Sequence, residues 1–178
     1  MTALLVDQFK NEVFVFSDGI TMTGDLMRII SRKAEKSQYH NNNTQISVSC
    51  GSSALGQECR QLIDEGRDLN EENIKTKLDG TILLVDATDV TITSIYYDSE
   101  ATSDKRHISA HSLKIKDQPY FSGSGGDFMA GAYYALNPRK AKTRAEFIKR
   151  IKAVFTAATQ YTGTITEVTH IKTIKRGN

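Results

Sequence analysis

Two apolar runs stand at the head of the chain. Ala3-Leu4-Leu5-Val6 and Val13-Phe14-Val15-Phe16 are separated by a polar break over residues 7–12, and the second ends in Ser17-Asp18-Gly19. Short unbroken runs of β-branched and aromatic residues bounded by turn formers predict strands buried on both faces, at the centre of a layered domain. Residues 2–6 and 13–18 are expected to pair as adjacent antiparallel strands, with Leu4, Leu5, Phe14 and Phe16 buried. The stretch 26–36 opens with apolar positions and turns basic at Arg32, Lys33 and Lys36, and Asn41-Asn42-Asn43 reads as a turn. The pattern then becomes alternating. Ile46, Val48 and Cys50 set against Gln45, Ser47 and Ser49 predict a strand with one buried face.

Leu55, Cys59, Leu62 and Ile63 recur at helical spacing, with serine as N-cap and Gly66 as the stop, and 70–78 predicts a short second helix. Residues 81–87 and 90–97 form β-rich runs joined at Thr88-Asp89, a hairpin. The polar stretch 98–106 predicts an exposed loop, and alternation returns over 113–115. A helix of small and aromatic residues is expected over 127–136, ending at Asn137-Pro138. Thr143 with Glu146 predicts the capping box of a last helix, whose inner face holds Phe147, Ile148, Ile151, Val154, Phe155 and Ala158. The tail from 164 to 175 has strand composition, but its apolar residues at 165, 168, 171 and 174 recur every third position. A strand carrying a bulge reconciles the two. Antiparallel strands with helices in pairs predict an α+β domain of stacked layers.

Composition narrows the class. The 178 residues suffice for one domain over 1–178, and 39% hydrophobic with 25% charged residues is ordinary for a soluble protein. No apolar run reaches membrane length and no basic-then-apolar leader opens the chain, so a membrane protein is not expected. The net charge of +2 is too small to argue for nucleic acid. Cys50 and Cys59 lie in no partner motif and read as free thiols of a reducing, cytoplasmic setting.

Candidate chemistry starts at residue 2. A threonine there is small enough for methionine aminopeptidase to remove Met1. Its α-amine, titrating near pH ~8, would then sit beside its own hydroxyl and could serve as its base. An ordinary strand following Met-Thr is the plain alternative, and two residues alone do not displace it. Gly123-Ser124-Gly125-Gly126 precedes a helix, as a phosphate-cradling loop does. It lacks the full G-x-G-x-x-G spacing and a Walker lysine, so a turn into a helix is the better reading. His107 and His111 would suit a metal on a helix, but their surroundings read as loop or strand and leave them as surface histidines. Lys172, Lys175 and Arg176 read as a solvated basic tail.

Thr2, Asp18-Gly19, the basic cluster at Lys33, Cys50-Gly51-Ser52 and Gly123-Ser124-Gly125-Gly126 stand in an order and spacing that resembles the proteasome β-subunit family, with the bacterial HslV peptidase as the nearest branch. The likeness spans residues 2–174. It implies a four-layer αββα sandwich of the N-terminal-nucleophile hydrolase type, with helix pairs covering a double sheet. It also implies roles. Thr2 matches the nucleophile and Asp18 the acid that orients a lysine. Lys33 is the best match for that lysine, after a one-residue shift, with Arg32 and Lys36 as competitors. Gly51 matches the donor of the oxyanion N–H, and Ser124 the hydroxyl that bonds the threonine amine. Tyr161-Thr162 matches the closing segment. In the HslV branch the corresponding carbonyls bind sodium, which falls here on Thr156, Thr159 and Thr162, and only Thr162 matches by residue type. The acidic residue that the proteasome branch carries before its closing serine is missing, with Thr159 near its place, as in HslV-type subunits.

The expectation is therefore a threonine-type peptidase subunit of a self-compartmentalising particle, active once Met1 is gone. It forms a homo-oligomeric ring, takes polypeptide substrates, is fed by an AAA+ ATPase unfoldase, and requires no cofactor beyond a structural sodium ion. The alternative is a family member that keeps the fold and the ring but has lost turnover.

Overall fold

The computed structural model describes residues 2–19, 21–22, 29–31, 36–98, 105–162 and 165–176. In chain order the elements are β1 (Leu4–Phe9), β2 (Glu12–Asp18), β3 (Thr21–Met22), β4 (Ile29–Ser31), β5 (Ser37–His40), β6 (Gln45–Gly51) and α1 (Ser53–Asp64). There follow β7 (Gly80–Val85), β8 (Asp89–Asp98), β9 (Lys105–Lys114), β10 (Tyr120–Ser122), α2 (Gly126–Leu136), a 3-10 turn (Pro138–Lys140), α3 (Arg144–Thr159) and β11 (Val168–Lys175). Two antiparallel sheets carry the architecture: sheet I in the order β10-β1-β2-β11, and sheet II in the order β5-β6-β7-β8-β9.

The unbroken apolar runs fill both faces of sheet I. Leu4, Val6, Val13 and Val15 point at Ile46, Val48, Leu83, Val85 and Ile92 of sheet II and make the inter-sheet core. Ala3, Leu5, Phe9, Phe14 and Phe16 point the other way, against Met129 and Tyr133 of α2 and Phe147, Ile151, Val154 and Phe155 of α3. Phe147 is the hub of that layer, stacked on Phe9 at 5.0 Å between ring centroids and tilted against Phe14 at 5.3 Å. On the outer face of sheet II, Leu55, Cys59 and Leu62 of α1 pack with Ile74, Ile82 and Ile95. The layers run helix, sheet, sheet, helix, the αββα sandwich expected from the sequence.

Several local expectations are corrected. β1 does not stop at Val6 but runs on to Phe9, and the polar break shrinks to a turn at Lys10-Asn11. Asp7 lies inside the strand with no exposure because it has charged and hydroxyl partners: Arg139 donates to its Oδ1 from Nε at 2.8 Å and Nη2 at 2.6 Å, and Tyr133 Oη donates to Oδ2 at 2.5 Å. Residues 70–78 form no helix. Asn70 folds the chain into a turn, its Oδ1 accepting from the amides of Glu72 and Asn73, and the carboxylate of Glu58 then takes the amides of Lys75 and Thr76 that a helix would need. Sheet II is thus covered by α1 and an irregular segment rather than by a helix pair.

The stretch expected as a loop over 98–106 is in part strand, since β8 runs to Asp98 and β9 starts at Lys105; residues 99–104 lie outside the described set. His107 and His111 stand exposed on β9, opposite Tyr96 and Ile92. Thr143 caps α3, accepting from the Glu146 amide at 3.1 Å, but Glu146 returns its bond to the amide of Lys142 at 2.8 Å rather than to that of Thr143. The three-residue period of the tail is explained by a register shift between Val168 and His170. The extra residue leaves Ile171 paired with Phe16 on the helix side, while Ile174 pairs with Val13 and faces the inter-sheet core.

Candidate active site

The head of β1 meets the tail of β2 at the open end of the sandwich. Pairing of Leu4 with Ser17 brings Ala3 opposite Asp18, whose amide donates to the Ala3 carbonyl at 3.1 Å. The Asp18 side chain has no exposed surface, and a bare carboxylate in that position would be costly. Among the described residues three donors hold it. Oδ1 accepts from the Ala3 amide at 3.0 Å and from Lys36 Nζ at 2.7 Å, and Oδ2 accepts from the Thr166 amide at 3.3 Å. Burial pushes the Lys36 ammonium below the usual lysine range. The Asp18 carboxylate pulls it back up. A cation is thereby fixed one residue away from the backbone of Thr2.

Thr2 is 4% exposed. The turn between β10 and α2 closes over it. Gly123 adopts φ +85°, and a Cβ at that position would lie 1.9 Å from the Thr2 carbonyl oxygen. Gly125 packs in the same way on Ile165, where a Cβ would fall 2.8 Å from Cδ1. These contacts account for Gly123 and Gly125 by protein packing, without a phosphate. Ser124, one residue beyond Gly123, is exposed.

Sheet II supplies the opposite wall. Cys50 Sγ lies 3.2 Å from Ser122 Oγ, which joins the end of β6 to the end of β10. The next residue, Gly51, is exposed with φ +95°, and a Cβ there would come within 2.7 Å of the Gly80 Cα and 2.8 Å of the Asp79 carbonyl. Only glycine can take that conformation beside a neighbouring backbone. Ser52 then caps α1, accepting from the Leu55 amide at 3.3 Å.

Of the residues singled out in the sequence, Asp18 is joined to Thr2 through Ala3, whose amide and carbonyl it bonds. Gly51 and Ser124 join them through their neighbours Cys50 and Gly123. Lys33 and Arg32 lie outside the described residues; among the described residues the lysine on Asp18 is Lys36, the second of the two competitors. The Thr166 amide and the Ser122 hydroxyl had no sequence signal, since a backbone donor carries none and Ser122 matched no motif. Thr156 and Thr159 occupy the last turn of α3, where helix carbonyls lack intrahelical donors. The Thr156 carbonyl accepts from the Thr159 hydroxyl at 2.7 Å, and the Gln160 amide turns to Ala157 at 3.2 Å. Neutral oxygens at a helix C-terminus are the donor type a hard cation takes. Among the described residues no group of His, Cys, Asp or Glu is placed to hold a metal ion, and no helix is long and apolar enough to cross a membrane.

The chain matches no protein-family model and no curated protein. Among solved structures it is similar to HslV from Trypanosoma brucei, with a TM-score of 0.64 at 16% identity, over 98% of this chain and 99% of that one. BPH from Thiobacillus denitrificans, solved in complex with epoxomicin, gives a TM-score of 0.63 at 14% identity over 99% and 100% of the two chains. The Gly-1 mutant of Anbu from Hyphomicrobium sp. strain MC1 gives 0.60 at 12% identity over 98% and 87%. These likenesses show the fold, a four-layer sandwich of two sheets between helices shared with those structures.

Proposed function

We propose that the chain is a threonine-type peptidase subunit of an HslV-like, self-compartmentalising particle, with Thr2 as the nucleophile once Met1 has been removed. The observation that carries this reading is the buried Asp18 carboxylate, which grips the Ala3 amide and Lys36 at once and so fixes a cation beside the head of β1. Removal of Met1 would leave a free amine on Thr2. The neighbouring Lys36 charge and the low exposure of the site both favour the neutral form of that amine, which is the form a base requires. The Thr2 Oγ then attacks the peptide carbonyl while the amine takes its proton and returns it to the leaving nitrogen. The Gly51 N–H stabilises the oxyanion, in a conformation fixed by the backbone of Gly80 before any charge develops. Water hydrolyses the acyl-enzyme and restores Thr2. Asp18 orients Lys36, and Ser124 bonds the amine.

In this reading the subunits form a homo-oligomeric ring in the cytoplasm. An AAA+ ATPase unfolds polypeptide substrates for the ring, and the carbonyls of Thr156, Thr159 and Thr162 hold sodium. A second reading rests on the 4% exposure of Thr2 in the chain that retains Met1: a ring-forming or interaction protein without turnover. Hydrolysis of a fluorogenic peptide by protein with a verified free Thr2, supplied with any ATPase partner, separates the two. Parent activity that is abolished in Thr2→Ala supports the peptidase, as does an epoxomicin adduct on the parent that Thr2→Ala does not form. A Thr2→Ala protein as active as the parent sinks it, and an inert parent with a free N-terminus leaves the second reading in its place.

A further inference from the structure

We infer that copies of this chain meet head to tail through charge, the basic face around α3 of one copy receiving the acidic segment 64–72 of the next. The inference rests on the reading of a homo-oligomeric ring, names two surfaces for it, and makes no use of Thr2. The net charge of +2 hides a strong separation. Residues 139–152 hold seven Lys or Arg against Glu146 alone, and residues 64–72 hold five Asp or Glu against Arg67 alone. Part of the basic charge is matched within the chain: Arg139 pairs with Asp7, Arg144 with Glu12 and Arg150 with Glu146. Lys140, Lys142, Lys149 and Lys152 are exposed and form no salt bridge among the described residues. With Arg144, Lys149 and Lys152 line a cavity of about 590 Å³ whose remaining walls are Ala145 and Ile148.

On the acidic side, α1 ends at Asp64 and Asn70 folds the chain back. Asp64 bonds Gln38 and His40, and Glu65 pairs with Arg67. Asp68, Glu71 and Glu72 are exposed and form no salt bridge among the described residues, and the nearby Lys75 donates to the Glu72 carbonyl rather than to a carboxylate. The two patches lie on opposite outer layers, α3 over sheet I and α1 over sheet II. A two-fold contact would set each patch against itself, like charge on like, whereas a head-to-tail contact sets lysine against carboxylate. Both patches also lie toward the end of the sandwich away from Asp18. Arg144 pairs with Glu12 at the opposite end of β2, and Asp64 with His40, the last residue of β5. A contact between them therefore leaves the Asp18–Lys36 end uncovered.

The test is a charge exchange on the full chain, read by sedimentation velocity at low and high salt. One variant is Lys149→Glu with Lys152→Glu, the other Glu71→Lys with Glu72→Lys. All four side chains are exposed, and far-UV circular dichroism checks that both variants fold. The parent should assemble beyond its 19.8 kDa monomer, more weakly as salt rises. Each variant alone should need at least about 10-fold more protein to assemble. An equimolar mixture, in which each reversed surface meets its reversed complement, should assemble as the parent does. Variants that assemble like the parent overturn the proposal and leave the ring reading standing. A mixture no better than its components overturns it as well. A parent that stays monomeric at every concentration overturns the proposal and the ring together. A labelled DNA duplex that binds the parent but not the Lys149→Glu, Lys152→Glu variant, with assembly unchanged, assigns the basic face to a polyanion and likewise overturns it.

Discussion

Replacing Asp18 by asparagine removes the charge from which the candidate site hangs while keeping the shape of the side chain. In the parent the carboxylate has no exposed surface, and the Lys36 side chain it holds at 2.7 Å is 10% exposed. Asparagine retains one acceptor and turns the other oxygen into a donor, so either Lys36 and the Ala3 amide or the Thr166 amide loses its acceptor, and the ammonium loses its counter-charge. Breaking a buried pair by removing one member costs about 3–5 kcal/mol, against a total stability of about 5–15 kcal/mol. With a urea slope of ~2 kcal/mol/M the midpoint should fall by about 1.5–2.5 M.

The loss should also depend on pH. Burial already holds Lys36 below the usual lysine range and Asp18 opposes that shift, so without Asp18 the ammonium falls further. Between its lowered folded value and the unfolded value of ~10.4, the unfolded chain binds more protons, and stability therefore rises with pH across that window. The variant should gain on the parent as pH rises through that window. Urea unfolding followed by far-UV circular dichroism measures both effects for the parent, Asp18→Asn, Lys36→Met and the double variant. The double variant buries no unpaired charge and should recover at least half of the single loss. An Asp18→Asn protein within about 1 kcal/mol of the parent at neutral pH, with no gain at alkaline pH, would refute the argument that the pair is a buried, mutually dependent unit.

Gly123→Ala should destabilise by more than about 2 kcal/mol in the same assay, because a left-handed non-glycine residue alone costs about 1–2 kcal/mol and the new Cβ meets the Thr2 carbonyl. Gly131→Ala, exposed on α2 with nothing near its Cβ, should instead stabilise by about 0.5–1 kcal/mol. Arg139→Met should cost about 3–5 kcal/mol at neutral pH by leaving Asp7 buried and unpaired. Burial already pushes the Asp7 carboxyl up, so the deficit should shrink as pH falls and that carboxyl takes a proton; a deficit that grows on acidification would contradict this. A thiol reagent applied to folded protein should label the half-buried Cys50 and spare Cys59, which has no exposure and a thiol pushed up to about 12; equal labelling by mass would show the α1 layer to be open.

What the sequence determined by itself is the part of the structure written in local periodicity. The unbroken runs at 3–6 and 13–16 specify strands apolar on both faces, which a second sheet buries on one side and helices on the other. The Thr143 cap, the Asn137-Pro138 stop and the three-residue period of the tail were legible for the same reason: each is a rule about neighbours along the chain. Thr2, Asp18, Gly51 and the 123–126 glycines could be marked as candidates, though what brings them to one end of the molecule is the pairing of β1 with β2 and β10.

What the tertiary structure decided lies in long-range pairing of charges and amides. Asp7 looked like the end of a strand because a lone carboxylate does not belong in one, and Arg139 and Tyr133, more than a hundred residues away, reverse that judgement. The helix expected over 70–78 is lost to Glu58, whose carboxylate takes the amides of Lys75 and Thr76. Among Arg32, Lys33 and Lys36 the residue types are interchangeable to a sequence pattern. Lys36 meets Asp18 because it stands one residue before β5, whose register against β6 is set by the inter-sheet core. Local propensities are worth tenths of a kcal/mol per residue, whereas a buried charge without its partner costs several, so wherever the two compete the fold follows the charge.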